Sequence, residues 1–500
     1  MEFTYASPKE VGASAKQIKK YIEILEKYEL STHSVIMARG NKIFFEKYWE
    51  PFDKDFAHRL YSVTKSIVSL AIGFLIQDGM LSLQDKICDY FSDIVPDDVF
   101  ENVKNQTIEN MLMMSTGVGS KRGNWFANHN GDRLKCYFGF NSGEFKPGEH
   151  SKKPGSFFSY DSNGSFVLCA LVEHITGKTF MEYMNERLFK ELGISEHAHF
   201  LECPGGHTWG DSALLCTSLD LLKIARFTLN YGKIGDKQVL SEQYLRSATS
   251  CMITNSQFGM VSADSFGYGY QIWRTWNNSF FFSGMGCQYA VCNPEKDVIL
   301  IYTGDNQANS YASSVIIDRF FEEIVDTMDT GFADEISEAE LFDSVRDLKL
   351  QYQHGMYMTS AMDDVNGKTY KLNDNPMGIM EFKLQIHGDS GELYYKNAQG
   401  DKCLKFGIGK NIFGIFPEEG YSGKVGGITQ AGNYYRCAAS AAWIEERKFG
   451  IKVQIIDEYF GRLFIQFHFE NDGSVSVMMS NFAENFLKTY SGYADGVLTN

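Results

Sequence analysis

The chain runs to 500 residues, with a formal net charge of −16, 14% aromatic residues and ten scattered cysteines that include no Cys-x-x-Cys pair. The acidic balance argues against a general affinity for nucleic acid or anionic membranes, which need a positive face, and the cysteine pattern reads as reduced thiols. The length suggests about two to four domains with at least one large core.

Met1 to Pro8 shows neither a basic n-region nor an apolar h-region. No apolar stretch reaches the roughly 20 residues that span a bilayer, so a cytoplasmic protein is expected. Residues 14–30 predict an amphipathic helix, with Ile18, Ile22, Leu25 and Leu30 along one side. Ser34 to Ala38 and Ile43 to Tyr48, joined by the Arg39-Gly40-Asn41-Lys42 turn, predict a β-hairpin. After Ser62, the residues Val63, Ile67, Leu70, Ala71, Phe74 and Leu75 recur at helical spacing, and Gly79 is placed to stop the helix. Ser82-Leu83-Gln84-Asp85 resembles a helix start, with Asp in place of Glu.

Thr107 to Met114 predicts a short helix. From Ser115 to Gly155 the chain is rich in Gly, Asn and aromatics, and long functional loops are expected. Tyr160-Asp161-Ser162 precedes a buried helix from Ser165 to Thr176 closed by Gly177, and another helix is predicted from Ser218 to Asn230. Strand patterns return at Tyr268 to Trp273, Phe280 to Phe282, Gln288 to Cys292 and Val298 to Thr303, followed by a helix from Tyr311 to Met328.

Strands at both ends of this region, with helices between, predict an α+β domain over residues 1–330: one antiparallel sheet flanked by helices. The acidic stretch 331–352 reads as a helical or irregular linker. Beyond it, Met380 to Ile386 and Leu463 to Phe469 alternate, and turn signals at Gly388-Asp389-Ser390-Gly391, Asn397-Ala398-Gln399-Gly400 and Asn471-Asp472-Gly473 separate such runs. Residues 353–500 therefore predict a small all-β domain, a barrel or a sandwich.

Ser62-Val63-Thr64-Lys65 opens the first buried helix, and a serine three residues before a lysine shares one face of its first turn. Hydroxyl and amine meet there, as an activated serine nucleophile requires. On spacing alone a plainer reading leads, an N-cap serine followed by a solvated lysine. Two features weigh against it: this is the only Ser-x-x-Lys in the sequence, and it sits where a strand pattern hands over to a buried helix. The helix N-terminus also offers free N–H groups and partial positive charge to a developing oxyanion. A lysine, with a reference pKa of about 10.4, must shift by roughly 3 units, or about 4 kcal/mol, to accept a proton near neutrality. The chemistry therefore calls for burial and a further polar partner.

Ser62-Val63-Thr64-Lys65, Tyr160-Asp161-Ser162 and Gly284-Met285-Gly286-Cys287-Gln288 stand in the order and rough spacing of the serine β-lactamase/penicillin-binding-protein superfamily, which the chain resembles over residues 7–325. The likeness is to its class C-related esterase and amidase branch, which includes 6-aminohexanoate-dimer hydrolases. His33 to Met37, Gly79 to Asp85, Pro154-Gly155, Ile175 to Gly177, Gly210 to Asp220 and Pro294 to Asp297 fit it as well. The resemblance implies that Ser62 attacks the acyl carbon, that Lys65 and Tyr160 share its proton, and that Tyr160 later serves the leaving group and water. It implies an oxyanion hole from the backbone N–H groups of Ser62 and Met285. Ser162 takes the polar position that is asparagine in class C β-lactamases, to hydrogen-bond substrate or Lys65, with Asn163 one place off. The C-terminal strands resemble the lipocalin-like barrels appended to some members of the branch.

Where β-lactamases carry Lys-Thr-Gly, this strand reads Phe282-Ser283-Gly284 and lacks the cation that holds a β-lactam carboxylate. An esterase or amidase is expected ahead of an efficient β-lactamase, with acyl transfer open to the same acyl-enzyme. The rival from another class is a catalytically silent ligand-binding or sensor protein on the same fold. No Gly-x-Ser-x-Gly elbow is present. His197-Ala198-His199 lacks the continuation of a metal site, and Gly117-Val118-Gly119 lacks the strand-and-helix context of a nucleotide loop. No cofactor and no metal are expected. The expected partner is a small-molecule ester or amide, with no nucleic acid and no membrane, and a homo-oligomer is left open. Trp125, Phe126, Trp209, Tyr268 and Trp273 are candidates to line a substrate pocket, with plain core as the alternative for each.

Overall fold

The two strands with the longest unbroken burial in the first sheet, Thr32–Arg39 and Val298–Gly304, pair at the middle of its seven strands. The structure, a computed structural model, describes residues 1–118, 132–143, 151–257, 262–331, 335–483, 487 and 489–499, so Gly119, Trp125 and Phe126 lie outside it. It divides into two units, Met1–Lys349 and Leu350–Asn500. In the first, Lys42–Tyr48 and then Thr4–Tyr5 continue the sheet on one side, and Gln288–Asn293, Phe280–Gly284 and Trp273–Arg274 on the other. Its pairings are antiparallel except for the two-residue parallel contact of Thr4–Tyr5 with Lys42 and Ile43.

Helices cover both faces of this sheet, which is why its central strands are buried on successive residues and read as apolar runs rather than alternations. On one face Val35, Met37 and Leu300 share a core with Ile18, Ile22 and Leu25 of the Ala15–Lys27 helix and with Ile316 and Phe320 of the Ala312–Phe320 helix. On the other, the Ser34 hydroxyl bonds the Ser218 hydroxyl at 2.7 Å, at the start of the Ser218–Leu229 helix. Behind that helix lies the helical half of the unit. Its centre is Val63–Gln77, with every residue from Val63 to Leu75 buried, packed against Ser162–Thr176.

Four local expectations change. Tyr268 to Trp273 is not a strand: Gln271 adopts φ +59°, and only Trp273–Arg274 pairs in the sheet. The Asp85 carboxylate does reach back to the Ser82 N–H at 2.8 Å, but this closes a turn, and the helix begins at Ile87. The helix expected from Tyr311 to Met328 is α-helical over Ala312–Phe320 and continues as a π-helical turn over Phe321–Val325. The stretch read as a linker carries the helix Glu338–Ser344, whose Leu341 is buried with Val345 in the first unit's core.

The second unit is a barrel. Nine strands run in the order Gly400–Ile408, Ser390–Asn397, Glu381–His387, Thr369–Leu372, Gly492–Leu498, Ser474–Ala483, Phe460–Phe469, Lys448–Ile456 and Thr429–Glu445. Parallel pairing of Gly407 and Ile408 with Ser440 and Ala441 closes the ring, and Ile412–Tyr421 pairs along the rest of Thr429–Glu445. Rings fill the inside, with Phe382 against Phe467 at 4.6 Å, Trp443 against Phe449 at 5.1 Å and Phe406 against Phe449 at 5.6 Å between centroids. Its interior is thus a packed core; a cavity of about 690 Å³ lies at one rim, beside Asn397, Lys402, Glu418 and Tyr490. Among the described residues no helix is long and apolar enough to cross a membrane.

Candidate active site

The approach to Ser62 is a tight turn held from several sides. His58–Arg59 pairs with Leu214–Cys216, and the Leu60 N–H donates to the Leu214 carbonyl at 2.9 Å. Tyr61 then takes φ +47°, a left-handed conformation that costs a bulky L-residue on the order of 1–2 kcal/mol. Thr64 holds it there, its hydroxyl donating to the Tyr61 carbonyl at 2.6 Å and accepting from the Leu214 N–H at 3.0 Å. The Arg59 guanidinium lies 4.4 Å over the Tyr61 ring. Ser62 follows as the N-cap residue, but its hydroxyl makes no capping bond, which leaves it for another partner.

That partner is Lys65. Its Nζ donates to Ser62 Oγ at 2.8 Å and to the Asp211 carbonyl at 2.6 Å. Lys65 is 1% exposed, and no carboxylate pairs with it among the described residues. An ammonium buried among neutral oxygens forfeits several kcal/mol of hydration that an apolar side chain would not. Packing alone gives no reason for a lysine here, and the solvated-lysine reading fails on burial.

Tyr160 comes from the segment just ahead of the Ser162–Thr176 helix. Its ring centroid is 5.1 Å from Lys65 Nζ, and it stacks on Trp273 at 5.7 Å with 26° between planes. Asp161 caps the Ser162–Thr176 helix, accepting from the Gly164 N–H at 3.0 Å and the Thr116 hydroxyl at 3.1 Å. Burial pushes its carboxyl above the usual aspartate value. The Ser162 hydroxyl makes no hydrogen bond among the described residues, whereas Asn163 Oδ1 accepts from Arg133 at 3.0 Å. Of the two polar candidates, Ser162 keeps its hydroxyl available, while Asn163 has committed its oxygen and keeps only its Nδ2 donors.

The Gly284 to Gln288 segment turns between two sheet strands. A Cβ on Gly284 would stand 2.1 Å from the Leu60 carbonyl oxygen, so only glycine lets this strand end press against the turn before Ser62. Gly286 and Cys287 take φ +77° and +71°, and the Gln288 amide ties the Met285 and Gly304 carbonyls at 2.9 and 2.5 Å. Among the described residues neither the Ser62 nor the Met285 backbone N–H donates a hydrogen bond. Both are thus unused donors, one at the start of the Val63–Gln77 helix and one in the turn after Gly284, as an oxyanion site would need.

The remaining aromatic candidates sort by contact. Trp209 is buried beneath the Arg59 guanidinium at 4.8 Å, Tyr268 and Trp273 lie in the sheet core, and the Trp273 ring stacks on Tyr160. A cavity of about 770 Å³ lies along the outer sheet edge at Tyr5, Glu46 and Phe342; the Ser7 hydroxyl there donates to the Glu10 carboxylate at 3.1 Å, but Glu10 also accepts from the Ser7 N–H at 2.7 Å, so the pair closes a local turn. Among the described residues no three His, Cys, Asp or Glu side chains gather as a metal ion would need. Two residues not singled out in the sequence complete the site: Arg133, paired with Asp211 at 2.5 Å, and Asp211, whose carbonyl receives Lys65. Burial works against the Arg133 charge, and Asp211 and Cys203 together more than offset it.

The β-lactamase family profile matches residues 18–312. The 6-aminohexanoate-dimer hydrolase of Paenarthrobacter ureafaciens is 24% identical over 293 residues, covering 55% of this chain and 72% of its own. A solved Bacillus anthracis protein provisionally designated a 6-aminohexanoate-dimer hydrolase matches with a TM-score of 0.50 at 17% identity, over 66% of this chain and 89% of its own. A Bacteroides dorei protein provisionally designated a β-lactamase matches with a TM-score of 0.51 at 16% identity, over 62% of this chain and 98% of its own. The last two are likenesses of fold.

Proposed function

The chain belongs to the β-lactamase family, and on that premise we propose that it is a serine hydrolase that forms an acyl-enzyme on Ser62 and cleaves small esters or amides. One observation carries this reading: a buried lysine with no carboxylate partner among the described residues, its Nζ 2.8 Å from a serine hydroxyl at a helix N-terminus. With Lys65 neutral the same 2.8 Å contact runs in the other direction, and the Ser62 hydroxyl donates to Nζ.

Ser62 Oγ attacks the acyl carbon and its proton passes to the Lys65–Tyr160 unit. The Ser62 and Met285 N–H groups receive the carbonyl oxygen as it gains charge. Tyr160 returns the proton to the leaving alcohol or amine, then takes one from the water that releases the acyl group. An alcohol or amine in place of that water gives acyl transfer by the same route. Ser162, with its free hydroxyl, is assigned to substrate. Phe282, fully buried at the place where β-lactamases carry lysine, offers no anchor for a β-lactam carboxylate. The named activity of the Paenarthrobacter relative adds weight to a linear amide as substrate.

A fluorophosphonate probe tests this directly. Wild-type protein should label and Ser62→Ala should not; an unlabelled wild type would remove the reading and favour the catalytically silent alternative. A panel of nitrophenyl esters, aminoacyl amides, D-amino-acid peptides and a chromogenic cephalosporin then ranks substrates, with the cephalosporin expected to be the poorest.

A further inference from the structure

The turn that receives Lys65 is itself gripped by buried charge. Lys65 Nζ donates to the Asp211 carbonyl at 2.6 Å, and the Asp211 carboxylate accepts from Arg133 Nη1 at 2.5 Å. Arg133 Nη2 donates to Asn163 Oδ1 at 3.0 Å, and the guanidinium lies 4.3 Å over the Phe166 ring. Asn163 and Phe166 both belong to the helix that follows Tyr160. Arg133 therefore joins the turn behind Lys65 to the element behind Tyr160. At 2% and 4% exposed, Arg133 and Asp211 are far from a surface ion pair, and desolvating two charges offsets most of their attraction, so stability is a weak reason to keep them.

We propose that Arg133 and Asp211 are a positioning pair that sets the pH range of Ser62 acylation: Asp211 holds Lys65 through its carbonyl, while Arg133 cancels the charge of the carboxylate on that same residue. This rests on Lys65 acting as a base, as proposed above. Either charge alone would bias the lysine. An uncompensated Asp211 carboxylate favours the ammonium and delays the base to higher pH; an uncompensated Arg133 favours the neutral amine and brings it in at lower pH. The other ionisable groups around Lys65 and the pair are Tyr160 and Asp161 ahead of the neighbouring helix, Cys169 within it, Cys203, whose sulfur accepts from Arg133 Nη1 at 3.4 Å, and Arg59, which donates to the Ser212 carbonyl at 3.2 Å from the far side of the turn. None of these changes in the variants below. The acid limb belongs to the Lys65–Tyr160 unit as a whole, so its midpoint, rather than any single residue's, is the quantity to follow.

The experiment measures the rate of fluorophosphonate labelling against pH for the full chain. Asp211→Asn keeps the shape and the acceptor oxygen for Arg133, and its midpoint should move down by about one pH unit. Arg133→Met should move it up by a similar amount, and the double variant should return it close to wild type with a lower plateau. Arg133→Lys, which keeps the charge and loses the fork to Asn163, should lower the plateau with the midpoint in place. A merely structural role predicts slower labelling with no opposed shifts. Midpoints of Asp211→Asn and Arg133→Met that stay put, or move in the same direction, overturn the proposal. Should Arg133→Met fail to fold, Asp211→Asn decides alone, since an unmoved or raised midpoint refutes it. An unlabelled wild type would instead refute the hydrolase reading, which keeps the two failures apart.

Discussion

Replacing Gly284 with alanine adds one methyl group where the Phe280–Gly284 strand passes the turn before Ser62. That Cβ would stand 2.1 Å from the Leu60 carbonyl oxygen and 3.0 Å from Gln288 Cβ. Ordinary carbon-to-oxygen contact begins near ~3.3 Å, so the two backbones must part by about 1 Å. Neither yields easily: Leu60 is bonded to Leu214 and Val63, and the Gln288 side chain holds the Met285 and Gly304 carbonyls. A displacement of about 1 Å at a reacting centre costs on the order of 10²-fold, and loss of an oxyanion donor about 10²–10³-fold. Acylation of a nitrophenyl ester by Gly284→Ala should therefore fall by about 10²–10³-fold, or about 3–4 kcal/mol. Overpacking itself costs about 1–3 kcal/mol of stability, which a thermal melt would read separately. Met285→Ala is the matching control. Its side chain is 41% exposed and only its backbone N–H has a role, so its rate should stay within about twofold of wild type. A folded Gly284→Ala that acylates at the wild-type rate, or a Met285→Ala that loses as much, would refute the argument.

Lys65→Ala and Tyr160→Phe should each lower acylation by at least ~10²-fold in pre-steady-state assays, and a near-wild-type rate in either removes that residue from the mechanism. A stability prediction concerns His58, whose Nε2 lies 2.7 Å from His33 Nδ1 in a fully buried pair. Burial lowers the His58 imidazole to about 3, against about 6.5 in the unfolded chain. The unfolded chain then binds the proton first, so this contribution is whole above about pH 6.5 and drains away as pH falls toward 3, by at most about 1.4 kcal/mol per unit. His58→Asn should flatten urea-melt stability over that window by about one proton's worth, and an unchanged slope would show that His58 is not the group responsible.

Much of the fold could be read ahead because its signals are local. The buried helices after Ser62 and Tyr160 declare themselves by apolar content and by Gly79 and Gly177 at their ends, both in the left-handed conformation that favours glycine. The misreading at Tyr268 to Trp273 has a non-local cause. Gln271 leaves the extended region because its backbone and amide serve Leu112, Met111, Ser66 and Ser165 at once, four partners on three other elements. Tertiary bonding overrode a good β pattern. Alternation in the second unit likewise announces strands and their inward faces, but barrel closure depends on a four-residue parallel contact, Gly407 and Ile408 with Ser440 and Ala441, that no period encodes.

The site divides along the same line. Ser62 and Lys65 share one helical turn, so spacing alone brings them together; Tyr160 needed the three motifs taken jointly. Arg133 and Asp211 are 78 residues apart, and an arginine opening a short helix and an aspartate in a turn both pass for surface residues. One sequence signal did bear on them. A Cβ on Gly210 would stand 2.1 Å from Cys169 Cβ, so the Trp209-Gly210-Asp211 turn packs directly onto the helix behind Tyr160. That close approach fits with the Asp211 carbonyl lying 2.6 Å from Lys65 Nζ and its carboxylate meeting Arg133. A glycine beside an acidic residue between two buried segments reads as a backbone pressed into a core, and the polar groups that follow it are then candidates for the site and not for solvent.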